Sequence, residues 1–319
     1  MNSYAHTLAT LPDVTLDQNA DLLSTLDWVG MKGIALPVMI EDSSGYLFSD
    51  NAKAQVCVNI IDPQVKGIHM SRLYLLLEEF ANHSSVSPAS ICTLLCNLLA
   101  THAGISNSAQ LTISGNALIK RDALKSNNSG WKSYPLIIKA TYTQDGFKLE
   151  LAVKIAYSSS CPCSAALSRQ LLQQAFSRDF ADVTTINKDT VNEWILDNGS
   201  AAIPHSQRSY ADVWIRLKDS LHGLPIIDVI SACESTLKTP VQTAVKREDE
   251  QEFAHLNGQH QQFCEDAARR LKATLEKLDV AQDYWLQVDH QESLHAHDAI
   301  ATTTKGLPGG YMSHMALAL

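Results

Sequence analysis

The chain has 319 residues, 45% of them hydrophobic and 18% charged, a balance that suits one large or two ordinary globular domains and excludes a disordered polymer. Its net charge of −9 argues against broad attraction to nucleic acid or to an anionic membrane, so an anionic ligand would need a local cluster of cations. No basic leader precedes an apolar core, no apolar run approaches about eighteen residues, and seven cysteines, an odd number, fit reduced thiols better than a disulfide framework; these features point to a cytoplasmic protein with neither signal peptide nor membrane span.

Residues 1 to 27 carry Asp13, Asp17 and Asp21 among scattered apolar positions without a sustained period, and are expected to form an N-terminal arm. Ala52 to Asp62 alternates polar and apolar residues as a half-buried strand does, and Pro63 ends it. Apolar residues then recur at helical spacing from Ser71 through Asn82. Ser87-Pro88 supplies an N-cap and a first-turn proline for a second helix reaching about Ala103. Gln110 to Ser114, Ser133 to Tyr142 and Phe147 to Tyr157 read as strands, the last two joined through the turn Gln144-Asp145-Gly146. Residues 165 to 203 hold two helical stretches without a counterpart earlier in the chain. Ser209 to Lys218 alternates like a strand, Pro225 to Leu237 and Gln261 to Leu278 read as helices, and Tyr284 to Val288 with a segment around His290 to His297 supplies further strand material before a Gly-Pro-rich tail. The order of strand, two helices and strands thus occurs twice, which predicts an α+β chain with one continuous antiparallel sheet.

The most reactive stretch is Ser158-Ser159-Ser160-Cys161-Pro162-Cys163-Ser164, at the end of a strand-like run. A proline of fixed φ separates its two thiols, which disfavours a disulfide between them and leaves them free for other work. Three later strings could meet them: Pro204-His205-Ser206-Gln207-Arg208-Ser209, Lys246-Arg247-Glu248-Asp249-Glu250 and Glu292-Ser293-Leu294-His295-Ala296-His297-Asp298. Together they offer thiolate, imidazole and carboxylate. Cations available to an anionic ligand are Lys66 with Arg72, Arg208, and Lys246 with Arg247. Cys57, Cys92, Cys96, Cys233 and Cys264 lie in apolar or helical contexts and are expected to pack in the core.

Six strings in this order, Lys66-Gly67-Ile68-His69-Met70-Ser71-Arg72, Ser160-Cys161-Pro162-Cys163-Ser164, His205-Ser206-Gln207-Arg208-Ser209, Lys246-Arg247-Glu248-Asp249-Glu250, Phe263-Cys264-Glu265-Asp266 and Glu292 to Asp298, resemble the signatures of the type IB GTP cyclohydrolases. The likeness runs from about Asp27 into the C-terminal region. It implies tandem tunnelling-fold modules, with helix pairs on one face of an antiparallel sheet, assembled as a homotetramer. On that template a first module spans 28–164, an inserted helical segment 165–203, and a second module with its tail 204–319. The insertion is a departure, because in many members the histidine follows the Cys-Pro-Cys turn far more closely, yet the motif residues themselves are intact. The resemblance implies conversion of GTP and water to 7,8-dihydroneopterin triphosphate and formate, feeding folate and, in bacteria, queuosine synthesis.

The same resemblance assigns roles. Cys161, His205 and Glu250 are the implied metal ligands, with Glu292 as a further or neighbouring one; zinc or manganese, or iron, suits such a mixed set. A metal of this kind lowers the pKa of bound water from about 15.7 toward about 7. Cys163 is expected in the active site without tight ligation. His295 is the expected general acid, with His69 as helper, since histidine is the residue type that exchanges protons near neutrality. Glu265 would accept the two N–H groups on the guanine edge. Arg72, Lys246 and Arg247 would meet the triphosphate, and Arg208 would meet it too or orient a carboxylate. Competing readings are a tunnelling-fold deazaguanine nitrile reductase, with a cysteine nucleophile and NADPH, and a non-catalytic zinc-binding protein, which a closed four-ligand site would mark.

Overall fold

A computed structural model describes residues 18–219, 221–315, 317 and 319. The arm expected over 1 to 27 therefore falls mostly outside the described residues; its described end bridges Asn19 to Val65. Nine described strands form one antiparallel sheet: β1 (Leu26–Ala35), β2 (Met39–Asp42), β3 (Gly45–Ile60), β4 (Ala109–Asp122), β5 (Ser129–Thr143), β6 (Gly146–Ser160), β7 (Ser206–Leu217), β8 (Ala281–His290) and β9 (Ala299–Thr304). Their spatial order is β1-β3-β4-β5-β6-β7-β8-β9, with β2 paired to β3. Helices α1 (Met70–His83) and α2 (Pro88–Thr101) follow β3, α3 (Pro162–Asp179) and α4 (Lys188–Asn198) follow β6, and α5 (Ile226–Leu237), α6 (Arg247–Gln259) and α7 (Cys264–Leu275) follow β7. No helix among the described residues is long and apolar enough to cross a membrane.

The period of two in the strands decides where the main core sits. On β6, Leu149, Leu151, Val153, Ile155 and Tyr157 are buried on one face, and Ala211, Val213 and Ile215 continue that face on β7. Helix α5 lays Ile226, Val229, Ile230, Cys233 and Leu237 against it, at the i, i+3, i+4, i+7 spacing of an apolar stripe. Each such aliphatic side chain contributes about 1.5–3 kcal/mol when fully buried. Ser87 caps α2 as expected, accepting from Ser90 N at 3.2 Å, with Pro88 in the first turn. Cys57, Cys233 and Cys264 are buried, but Cys92 is only half-buried and Cys96 is exposed, because α2 turns that stripe away from the sheet.

A second, smaller cluster covers the opposite face, where Trp214 and Trp285 pack with Tyr311 of the C-terminal tail. Asp283 anchors this tail: its carboxylate accepts from Gly306 N at 3.1 Å and Tyr311 N at 2.8 Å. Gly310 must be glycine here, since a Cβ would collide with that carboxylate.

Two expectations are corrected. The strand material expected at His290 to His297 ends at His290, which pairs with Ala299; residues 291–298 are the connection between β8 and β9 and have no partner strand. Helix α6 was absent from the sequence-based elements because Arg247–Gln259 is polar around most of its circumference. Its anchor is Asp249, whose carboxylate accepts from Lys125 N at 2.7 Å, Ser126 N at 2.9 Å and the Ser126 hydroxyl at 2.6 Å. The Ser126 hydroxyl foremost, with those backbone donors, holds the Asp249 carboxyl far below its usual range.

Candidate active site

Strands β6 and β7 meet in register from Glu150↔Arg216 to Ser160↔Ser206, and this pairing brings the Cys-Pro-Cys turn beside His205 across the intervening α3 and α4. Cys161 N donates to His205 O at 3.2 Å, and His205 N donates to the Ser164 hydroxyl at 3.2 Å. Cys161 is the N-cap of α3, with Pro162 in the first turn and its sulfur accepting from Ser164 N at 3.5 Å. The positive end of α3 thus faces that sulfur.

A cavity of about 280 Å³ opens at this rim, lined by Cys161, His205, Gln207, Gln262, Phe263, Cys264, Glu265, His290, Glu292, His295 and His297 with Ala299. Gln207 fixes the His205 ring. Its amide Nε2 donates to the Ser159 hydroxyl at 2.8 Å, so its Oε1, 2.9 Å from His205 Nδ1, is the acceptor of that pair. Nδ1 therefore carries the proton in the neutral ring and Nε2 keeps a lone pair for a ligand or a proton. Glu292 lies 3.5 Å from the same Nδ1.

A further part of the lining comes from the start of α7. Glu265 has its carboxyl lowered by its own backbone N–H first, then by the Cys264 thiol, which donates to it at 3.2 Å. Burial, and next its hydrogen bond to Glu265, push the Cys264 thiol up to about 11, so it stays a donor. His290, 2% exposed, pairs through Nε2 with the Tyr157 hydroxyl at 2.8 Å; burial pushes it down to about 4, against the opposing pull of Glu265. It is neutral at physiological pH. His295 and His297 stack at 5.0 Å between centroids in the exposed β8–β9 connection.

Of the residues given site roles from the sequence, Cys161, His205, Glu265, Glu292 and His295 line this cavity, and the others do not. Glu250 is exposed on α6, because the burial of its neighbour Asp249 under the β4–β5 connection turns it outward. Among the described residues no group of three or more His, Cys, Asp or Glu side chains is close enough to hold a metal ion. Cys163 is exposed at the start of α3. Arg208 pairs with Ser158 on the strand face opposite Gln207 and Ser209, as the alternation of β7 dictates. Lys246 and Arg247 are exposed at the start of α6, and Lys66 reaches Asp21 at 3.6 Å and Gln18 at 3.2 Å. Arg72 donates to Thr101 O at 2.7 Å, beside His102 and near His69. Sequence reading quoted Gln207, Phe263, Cys264 and His297 in its candidate strings without giving them a role in the site, and missed Gln262 and His290. Of these, Gln207 had a signal: His205, Gln207 and Ser209 share a face in any strand that begins there.

The antiparallel sheet with helices on one face and a polar cavity at the β6–β7 rim define a tunnelling-fold α+β protein. Among solved structures, a hyper-thermostable AgUricase mutant resembles it with a TM-score of 0.50 at 8% identity, covering 90% of this chain and 94% of that one, a likeness of fold alone. The chain belongs to the type I GTP cyclohydrolase FolE2 family, whose model matches residues 11–301. It is similar to the GTP cyclohydrolase FolE2 of Hydrogenovibrio crunogenus, 47% identical over 94% of this chain and 96% of that protein. It is likewise similar to that of Pseudoalteromonas translucida, 46% identical over 94% of this chain and 99% of that protein.

Proposed function

We propose that this protein is a GTP cyclohydrolase of folate synthesis, converting GTP and water to 7,8-dihydroneopterin triphosphate and formate by hydrolytic opening of the guanine imidazole ring. The observation that carries the reading is a single cavity lined together by Cys161, His205 and Glu265. Glu265 accepts N1–H and the 2-amino group of guanine, a pairing suited to a carboxylate with only acceptors to offer. The five-membered ring, whose carbon leaves as formate, then points toward Cys161 and His205.

The donor chemistry of this wall, a thiol at a helix N-terminus and an imidazole with Nε2 available, suits a divalent ion such as zinc or manganese, or iron. Cys161 and His205 would hold it, and Glu250, the third ligand implied by resemblance, reaches the pair only if α6 shifts or another copy of the chain supplies it. When bound, such an ion supplies an activated water at neutral pH. Glu292 keeps the His205 ring oriented through Nδ1. His295 protonates the ring nitrogen as the carbon–nitrogen bond breaks, while Cys163 acts from the rim of the turn. The triphosphate cations Arg72, Lys246, Arg247 and Arg208, and His69, lie outside the cavity of one chain, which fits a site completed by a neighbouring subunit of a homotetramer. Sedimentation of the purified protein tests the assembly, and a monomer that turns over GTP would refute it.

The test of the activity is formate release from GTP by metal-loaded protein, read with the fluorescence of the oxidised neopterin product. An absence of both products, with NADPH oxidation by a nitrile substrate instead, would replace this reading by the reductase.

A further inference from the structure

Gln262 sits just before α7 and is 1% exposed. Its backbone N donates to Ser160 O at 3.2 Å, which ties it to the end of β6. Its side-chain Oε1 accepts from Arg270 Nη1 at 3.1 Å. A guanidinium has only donors, so this contact fixes which way the amide faces: the oxygen meets Arg270 and the nitrogen points elsewhere. That nitrogen, Nε2, is out of reach of water and has no hydrogen-bond partner among the described residues. Buried amide donors are rarely left this way, and the residue borders the same cavity as Glu265.

We infer that Gln262 is a specificity-determining residue that donates its Nε2 hydrogen to the 6-oxo group of the bound purine. The inference rests on the GTP reading above and deepens it. On the guanine edge, N1–H and the 2-amino group are donors that suit Glu265, but the adjacent 6-oxo oxygen is an acceptor that a carboxylate repels. It needs a donor from the same end of the cavity. Other polar side chains of the lining already have partners: the Cys264 thiol donates to Glu265, His290 Nε2 pairs with the Tyr157 hydroxyl and the Gln207 amide donates to Ser159. Gln262 Nε2 differs from them in being a buried donor without a partner among the described residues. Because Nε2 is sealed from water, the wall must yield by a side-chain movement as the base enters, and the new hydrogen bond offsets that movement.

The experiment compares GTP with 6-thioguanosine triphosphate, which keeps N1–H and the 2-amino group but presents sulfur, a weak acceptor, at position 6. One neutral hydrogen bond corresponds to roughly a fivefold to tenfold preference in kcat/KM for GTP in the wild-type protein. In Gln262→Leu that preference falls to about one, through loss on the GTP side. A ratio is read within one preparation, so a partly inactive variant does not distort it. A preference unchanged in Gln262→Leu overturns the inference and leaves the GTP reading intact. Should the variant fail to fold, the wild-type ratio decides alone: a value near one overturns the assignment. Wild-type protein that releases no formate from GTP removes the underlying reading, and this inference with it.

Discussion

Asp212 offers a stability prediction in which two opposed effects can be weighed. It lies on the second face of the sheet, 6% exposed, with Lys154 Nζ at 3.4 Å and Asp289 nearby. Burial, against the pull of Lys154, pushes its carboxyl up to about 6 from 3.8. A group with its folded pKa raised contributes stability that is fully present below the unfolded value and is lost as pH rises through the folded one. Between pH 3.8 and 6 the folded chain binds more protons than the unfolded chain at this position, so ionisation there opposes folding. At about 1.4 kcal/mol per unit the full cost at pH 7.5 would be near 3 kcal/mol, with the attraction of Lys154 already included. Water that enters beside Lys154, a quarter exposed, relieves part of the carboxylate's desolvation, and about 1–2 kcal/mol is the working figure. Asp212→Asn mimics the protonated side chain and should stabilise the protein by that amount in urea unfolding at pH 7.5. The advantage should shrink by more than half at pH 4.5. A variant less stable than wild type at pH 7.5, or an advantage that does not change with pH, would refute the reasoning.

Three other outcomes follow from the same structure. Glu265→Gln replaces an acceptor pair with an amide that turns a donor toward guanine, and should lower kcat/KM for GTP about a hundredfold, the effect of losing one or two charge-assisted hydrogen bonds; the loss should be smaller for inosine triphosphate, which lacks the 2-amino group, and equal losses would count against the role. Metal analysis after reconstitution should find stoichiometric zinc or manganese lost in Cys161→Ala and His205→Ala and weakened by about 10–100-fold in Glu292→Gln, as expected for an outer partner of a ligand; full occupancy in both alanine variants would remove the ligand assignment. Glu234 on α5 accepts from Lys132 Nζ at 2.6 Å and the Tyr134 hydroxyl at 2.8 Å, with Arg121 at 3.5 Å, so Glu234→Ala should destabilise by about 3–5 kcal/mol by leaving Lys132 buried without its carboxylate; a shift in thermal midpoint of less than 1 °C would contradict it.

The fold was legible wherever a strong period was written into the chain, as in β6, β7 and α5, where burial on one face is what created the pattern. It was not legible in α6, a polar helix held mainly by the hydrogen bonds of Asp249 to a loop 123 residues or more away in sequence. No local signal encodes that contact. It also explains why Glu250 faces outward although it stands in an acidic run that reads as ligand material. At the site, the convergence of Cys161 with His205 depends on strand register across the intervening α3 and α4, which spacing alone cannot give. Motif resemblance supplied it. The alternation of β7, by contrast, was enough to separate Arg208 from His205 and to join Gln207 to it, and a strict reading of the period would have done both. Gln262 had no sequence signal at all, since an unpartnered amide exists only relative to its surroundings.

The central claim is that Cys161 and His205 form one wall of a site that opens the imidazole ring of GTP. Its most direct measurement is formate released per GTP consumed by metal-reconstituted wild-type protein beside Cys161→Ala and His205→Ala. The account predicts one formate per GTP with the fluorescent pterin product in the wild type, and loss of at least 99% of that rate, on the order of a hundredfold, in each variant. Turnover retained in both variants, or GTP consumed without formate, would contradict it.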